Sequence, residues 1–119
     1  MKNPKLRLKL TFENGLTMGP GKADLLQGIA EAGSISAAGR RMKMSYKRAW
    51  MLVEEMNAAF VAPLVESSRG GASGGGAKLT EAGETVLAEF RSLERMVFES
   101  GAPQISALRA MLSDIPDEK

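Results

Sequence analysis

SISAAGRRMKMSYKRAWMLVEEMN, residues Ser34 to Asn57, is the stretch from which the rest of the chain can be read. Ile35, Ala38, Gly39 and Met42 recur at helical spacing, Met44-Ser45 interrupts, and Ala49, Val53, Met56 and Phe60 resume the period. Two short helices joined by a tight break are the outline of a helix-turn-helix. Ser45 is placed to cap the second helix by accepting a hydrogen bond from an otherwise unpaired N–H in its first turn, and Ser34 or Ser36 to cap the first. Ala38 and Gly39 are small where two steeply crossed helices must come close.

Between Gly39 and Met51 stand five bases, Arg40, Arg41, Lys43, Lys47 and Arg48, and no acid, although the whole chain is only at +2. The charge is therefore local. Cations at the leading end of a helix with an apolar back suit a recognition helix: phosphate neutralisation supplies affinity, and side chains near the N-terminus reach base edges in the major groove. A basic helix face that is merely solvated carries the same charge run, so this stretch alone leaves both readings open.

At 119 residues, with 44% apolar and 25% charged residues, the chain fits one ordinary globular domain and an appended helix. It has no Cys and no His, which removes disulfides, thiolate nucleophiles, the usual zinc ligands and the commonest general base. No catalytic residue, metal site or cofactor is expected. No signal peptide opens the chain and no run of 18 apolar residues interrupts it, so a cytoplasmic protein without a membrane partner is expected. Residues 1–33 carry +2, residues 34–79 carry +4 and residues 80–119 carry −4.

Leu6, Leu8, Leu10 and Phe12 alternate with polar residues, which predicts a strand with those four on its inner face. Asn14-Gly15 then predicts a type I′ turn and a short return strand over Leu16 to Met18. Lys5, Arg7 and Lys9 fall on the outer face, where charge keeps an edge strand soluble, a reading preferred over contact with nucleic acid. Gly19-Pro20-Gly21-Lys22 breaks the strand. Gly21-Lys22 lacks the spaced glycine and the Ser or Thr of a phosphate-binding loop, so nucleotide binding is not expected there. Ala23 to Ala32 reads as a helix with Leu25, Leu26 and Ile29 inward and Gly33 as its stop.

In the second helix of the central motif Tyr46, Lys47, Arg48 and Met51 point away from the apolar side, and Trp50 either packs in the core or lies at the groove edge. Pro63 ends the region and Leu64 to Ser68 reads as a strand. The glycine-rich run Gly70 to Gly76, flanked by Arg69 and Lys78, reads as the tip of a hairpin wing whose backbone can approach a sugar-phosphate chain. Thr80 opens a long helix with acids in its first turn, and Glu84 is expected to reach back as in a capping box. Ala82, Val86, Phe90, Leu93 and Val97 form a seam that asks for a partner helix, and a further helix after Pro103 adds Ile105, Leu108, Met111 and Leu112. Residues 80 to 113 are read largely as a dimer interface, against the alternative that they fold back on the same chain.

Gly33-Ser34-Ile35-Ser36, Ser45-Tyr46-Lys47-Arg48-Ala49-Trp50, Glu55-Met56-Asn57, the glycine run and Leu79-Thr80-Glu81-Ala82-Gly83 together resemble the DNA-binding domain of the ModE molybdate-responsive regulators. More distantly, they resemble the LysR-type winged helix. The resemblance spans roughly residues 6 to 100. It implies a homodimer on palindromic double-stranded DNA, with Ser45, Tyr46, Lys47, Arg48 and Trp50 on the recognition helix. It does not carry over a molybdate site, which is expected to be absent from this chain.

The fold expected is α+β, mainly α: a winged helix-turn-helix with an N-terminal β-hairpin, a glycine-rich wing and a long C-terminal dimerisation helix. A DNA-binding domain over residues 1–79 and a helical dimerisation extension over 80–119 follow. The DNA-contacting set is Ser34, Ser36, Arg40, Arg41, Lys43, Ser45, Tyr46, Lys47, Arg48, Trp50, Met51, Arg69, Gly71, Gly74 and Lys78. The dimer set is Val86, Phe90, Leu93, Val97 and Leu108. Two alternatives stand beside this reading: a winged-helix module that binds protein without DNA affinity, and a small oxyanion-binding protein.

Overall fold

The computed structural model describes residues 4–68 and 76–113, so the wing-tip expectations for Arg69, Gly71 and Gly74 lie outside the described residues. Among those described, a hairpin of β1 (Leu10–Thr11) and β2 (Thr17–Met18) leads into α1 (Pro20–Ala32), α2 (Ile35–Arg41) and α3 (Tyr46–Ala59). A second antiparallel ribbon, β3 (Val65–Ser68) with β4 (Gly76–Leu79), precedes α4 (Glu81–Ser100) and α5 (Ala102–Ala110).

The first hairpin is shorter than the alternation predicts. Leu10 pairs with Met18 and Thr11 with Thr17, while Leu6, Leu8 and Leu10 are half-buried and Lys5, Arg7 and Lys9 exposed. The period of two therefore survives where ladder pairing does not. Phe12, expected inward, is exposed. The turn is also a different one: Phe12 N–H donates to Leu16 O, Gly15 N–H donates to Phe12 O, and only Gly15 has positive φ, at 91°. This is a three-residue loop rather than a type I′ turn. Asn14 is held out of the left-handed region by its own side chain, whose Oδ1 accepts from Leu16 N–H while its Nδ2 donates to Ala59 O at the end of α3.

α1 begins at Pro20, three residues before the predicted start, because the missing N–H of a proline costs nothing in a first turn that has no acceptors for it. Gly33 stops it at φ 76°, donating to Ile29 O. Leu25, Leu26 and Ile29 on α1, Val53 and Met56 on α3, and Leu64 form the fully buried centre. Each large aliphatic side chain so buried contributes about 1.5 to 3 kcal/mol. Small residues let the three helices close on that centre: a Cβ at Gly28 would stand 3.1 Å from the Ala38 Cβ, and one at Gly39 would stand 3.1 Å from the Ala49 Cβ.

α4 is anchored twice. Thr80 Oγ1 accepts from Gly83 N–H at 3.0 Å and its hydroxyl donates to Pro63 O, while Thr80 N–H donates to Leu64 O. The capping box expected of Glu84 is therefore not made: the N–H it would take is already used, and the third helical position is Gly83. That glycine is required, because a Cβ there would overlap the Leu64 carbonyl oxygen. One helical stretch further on, Arg91 donates to Asp24 at 2.7 Å and to Gln27 at 2.9 Å, pinning α4 to α1, and Phe90 is buried beside it. The first half of α4 thus packs into the same core as residues 1–79. A free-standing extension starts only after this point, where Met96, Phe98, Leu108, Met111 and Leu112 are exposed. The projection lengthens the molecule to 56 × 37 × 20 Å, with a radius of gyration of 17.4 Å. A compact chain of this length would have roughly 13 to 14 Å.

Asn57 joins α3 to the second ribbon. Its Oδ1 accepts from Leu64 N–H at 2.8 Å and Val65 N–H at 3.1 Å, and its Nδ2 donates to Val65 O. Asn57→Ala is expected to cost about 1 to 3 kcal/mol, since it strips partners from backbone groups near the core. Gly83→Ala is expected to cost a similar 1 to 3 kcal/mol, as overpacking against backbone does. Gly21→Ala, where nothing lies within 4 Å of the new Cβ, serves as the neutral comparison. Urea unfolding of the three variants checks both; equal midpoints for Gly83→Ala and Gly21→Ala would contradict the packing described.

Candidate nucleic-acid interface

α3 is mounted with its back in the core and its front free. Ala49, Val53 and Met56 are buried, whereas Lys47 and Arg48 are exposed and Tyr46 and Met51 keep 58% and 54% of their surface. Ser45 caps α3 as expected, accepting from Arg48 N–H at 3.0 Å. Of the two candidates for the α2 cap it is Ser34 that serves, accepting from Ala37 N–H at 2.8 Å. Ser36 Oγ instead accepts from Arg40 Nη1.

The turn between α2 and α3 carries a conformation that composition does not announce. Lys43 has φ 60°, the left-handed region, without being a glycine. It is held there by its N–H donating to Arg40 O and by Met44 N–H donating to Gly39 O. Lys43 is exposed in this turn, two residues before Ser45, the cap of α3, and Arg40 at the end of α2 is exposed as well.

The three bases of α2 and the turn are not equivalent. Arg40 and Lys43 are exposed, but Arg41 Nη2 donates to Glu31 Oε1 at 2.6 Å, tying it to α1. That hydrogen bond, then one from Gln27, holds the Glu31 carboxyl below the usual carboxylate range. A lowered carboxyl keeps the tie whole above that range and releases it as pH falls through the lowered value. Arg41 is thus a brace as well as a cation, which the charge run did not distinguish.

Trp50 packs against the core rather than lying free at a groove edge, edge-on to Tyr46 with ring centroids 6.1 Å apart. Its indole Nε1 is buried without a partner among the described residues.

Asn57 and Lys22 decide what flanks α3, and sequence reasoning assigned neither of them this part. Asn57 fixes the ribbon of β3 and β4 on one side, and in that ribbon Lys78 is exposed opposite Glu66. Ala77 N–H donates to Gly33 O, so the ribbon is also fastened to the end of α1. On the other side Lys22 Nζ donates to Thr17 O at 2.6 Å and to Glu55 at 3.1 Å, joining β2, α1 and α3. An Asn in a helix beside a Pro-ended loop is a weak hint of a side-chain clamp; nothing near Lys22 hinted at Glu55.

The expected dimer seam divides. Phe90 is only 4% exposed and Val86 and Leu87 pack against the core, so these residues serve the chain's own interior. The close approach at Gly83 and the bonds from Arg91 to Asp24 and Gln27 hold the first half of α4 against the rest of the chain. Leu93 and Val97 are half-buried and Leu108 is exposed. Among the described residues no group of three or more acidic side chains converges on a metal position, and no helix is long and apolar enough to cross a membrane.

Similarities to known proteins bear on this geometry. The chain is 46% identical over 80 residues to the molybdenum-pterin-binding protein MopB of Rhodobacter capsulatus, covering 67% of this chain and 30% of the relative. It is 39% identical over 95 residues to the transcriptional regulator ModE of Haemophilus influenzae, covering 80% of this chain and 37% of the relative. The DNA-binding transcriptional dual regulator ModE of Escherichia coli matches over 83 residues at 39% identity, or 70% of this chain and 32% of that protein. The chain thus spans about a third of the length of these curated relatives. Among solved structures, the CbnR DNA-binding domain in complex with DNA superposes with a TM-score of 0.58 at 25% identity, covering 74% of this chain and 95% of that one. Residues 22–84, from the Lys22 junction through both helices of the motif and the second ribbon to the start of α4, match the model of the bacterial regulatory helix-turn-helix proteins of the lysR family, and the chain belongs to that family.

Proposed function

We propose that the chain is a sequence-specific DNA-binding transcription regulator of the ModE type, working as a homodimer on a palindromic site in the cytoplasm. The observation that carries this reading is the front of α3. Tyr46, Lys47, Arg48 and Met51 stand in solvent on a helix whose back is buried, and the first acid beyond them is Glu54. The relatives named as transcriptional regulators and the CbnR domain solved with DNA support it.

Tyr46, Lys47 and Arg48 are assigned to base edges, and Arg40, Lys43 and Lys78 to phosphates. The second copy is assigned to the apolar surface that α4 and α5 leave outside, at Met96, Leu108, Met111 and Leu112. Two α3 helices so joined would enter successive major grooves about 34 to 36 Å apart, or a multiple of that. No molybdate site is assigned within these residues, and no catalytic role; titration calorimetry with molybdate is expected to give no binding heat.

The test begins with duplexes selected by the protein from a random-sequence pool. If it neutralises about six to ten phosphates, affinity falls roughly 10³- to 10⁵-fold between about 50 and 200 mM salt. Arg48→Ala is expected to cost about 1 to 3 kcal/mol on the selected duplex and to relax preference at one position. Equal losses on selected and scrambled duplexes would remove Arg48 from base reading. A salt-independent affinity would remove the DNA-binding reading itself.

A further inference from the structure

Arg7 and Lys9 line one groove of about 850 Å³ with Arg48, Met51 and Leu52 of α3 and with Lys22, Gly19 and Gly21 at the start of α1. A strand edge that needs charge to stay soluble would place these bases along a paired ladder. The ladder begins only at Leu10, so Arg7 and Lys9 guard no paired edge. They are held beside the helices instead: the Cβ position of Gly19 lies 3.5 Å from Lys9 Cγ and 3.6 Å from Leu8 O.

The side of α3 on which this groove opens matters. Arg48 and Asn57 are nine positions apart, which at roughly 100° per residue puts them on opposite faces of the helix. Asn57 clamps the β3–β4 ribbon to one flank. Arg48, Leu52 and Glu55 share the other flank, and it is this one that faces Arg7 and Lys9. The two acids in the groove do not cancel its charge. Glu55 is already paired with Lys22, leaving Glu54 against Arg7, Lys9 and Arg48. None of these three bases makes a salt bridge among the described residues.

We propose that the N-terminal segment is a second arm of the DNA interface: Arg7 and Lys9 contact phosphates of the DNA backbone on the side of α3 opposite the wing. The inference rests on the DNA-binding reading above and deepens it. A helix lying in a major groove about 12 Å wide has a sugar-phosphate chain on each side. The ribbon meets one chain; the groove containing Arg7 and Lys9 meets the other. Such contacts position the protein and carry no sequence preference of their own.

The experiment compares the unaltered protein, the double variant R7Q/K9Q, and the double variant R95Q/R109Q, which removes the same charge from α4 and α5. Fluorescence anisotropy follows binding to one fixed random-sequence duplex and one selected duplex across a series of KCl concentrations. For R7Q/K9Q the slope of log affinity against log salt is expected to shrink by about 2 on both duplexes, with the ratio between them unchanged, while R95Q/R109Q keeps the original slope. An unchanged slope in R7Q/K9Q overturns the proposal and leaves the DNA-binding reading standing. Equal shrinkage in both variants also overturns it, since net charge rather than contact is then responsible. A flat salt dependence in the unaltered protein overturns the DNA-binding reading and this proposal together. Arg7 and Lys9 are exposed, and matching circular dichroism and melting curves are expected for all three proteins.

Discussion

The architecture depends on how closely α2 can lie between α1 and α3. Gly28 meets Ala38 on one side and Gly39 meets Ala49 on the other, each crossing too close to take a second methyl group unless the neighbour shifts. With larger residues at these crossings α2 would stand off and α3 would lose its seat against Leu25, Ile29 and Leu64. Because the seat is tight, α3 buries one side completely and leaves the other free. Its exposure is a consequence of packing behind it, since among the described residues the cations in front, Lys47 and Arg48, make no salt bridge that would hold them.

Polar side chains then settle what stands beside α3. Asn57 saturates the backbone at Leu64 and Val65, Lys22 spans β2 and Glu55, and Arg91 spans α4 and α1. The Lys22 side chain is mostly buried while Glu55 stays about half exposed, so their pair is a partly solvated tie that adds to the bond Lys22 makes to Thr17 O. These three ties fix two flanks and a lever on a helix whose own contacts only fix its depth. An interface to a duplex needs that outcome, because the spacing of cations across the groove must hold to within a hydrogen bond's length.

α4 has two different halves for a related reason. Its apolar positions recur evenly from Ala82 to Val97, and on periodicity alone they read as one seam. The anchors at Gly83 and Arg91 commit Phe90 and Val86 to the chain's own core, and the seam turns outward only beyond them. Regular spacing states that a face will be covered. It does not state by what.

What the sequence determined by itself were the features whose cause lies within a few residues. The caps at Ser45 and Thr80, the stop at Gly33, the inward sides of α1 and α3 and the free basic front all follow from neighbours three or four positions away, whereas local pattern leaves open the choice of Ser34 over Ser36 as the α2 cap. Only the tertiary structure decided the loop at Asn14, the separation of Arg41 from Arg40, the loss of the Glu84 box, the burial of Phe90 and the placing of Arg7 and Lys9 against α3. In each case a group from a distant segment competes for the same atoms or the same face: Ala59 O is 45 residues from Asn14, Glu31 is 10 from Arg41, and Asp24 is 67 from Arg91. Local pattern is silent about such competition, since its outcome depends on which surfaces the folded core brings together.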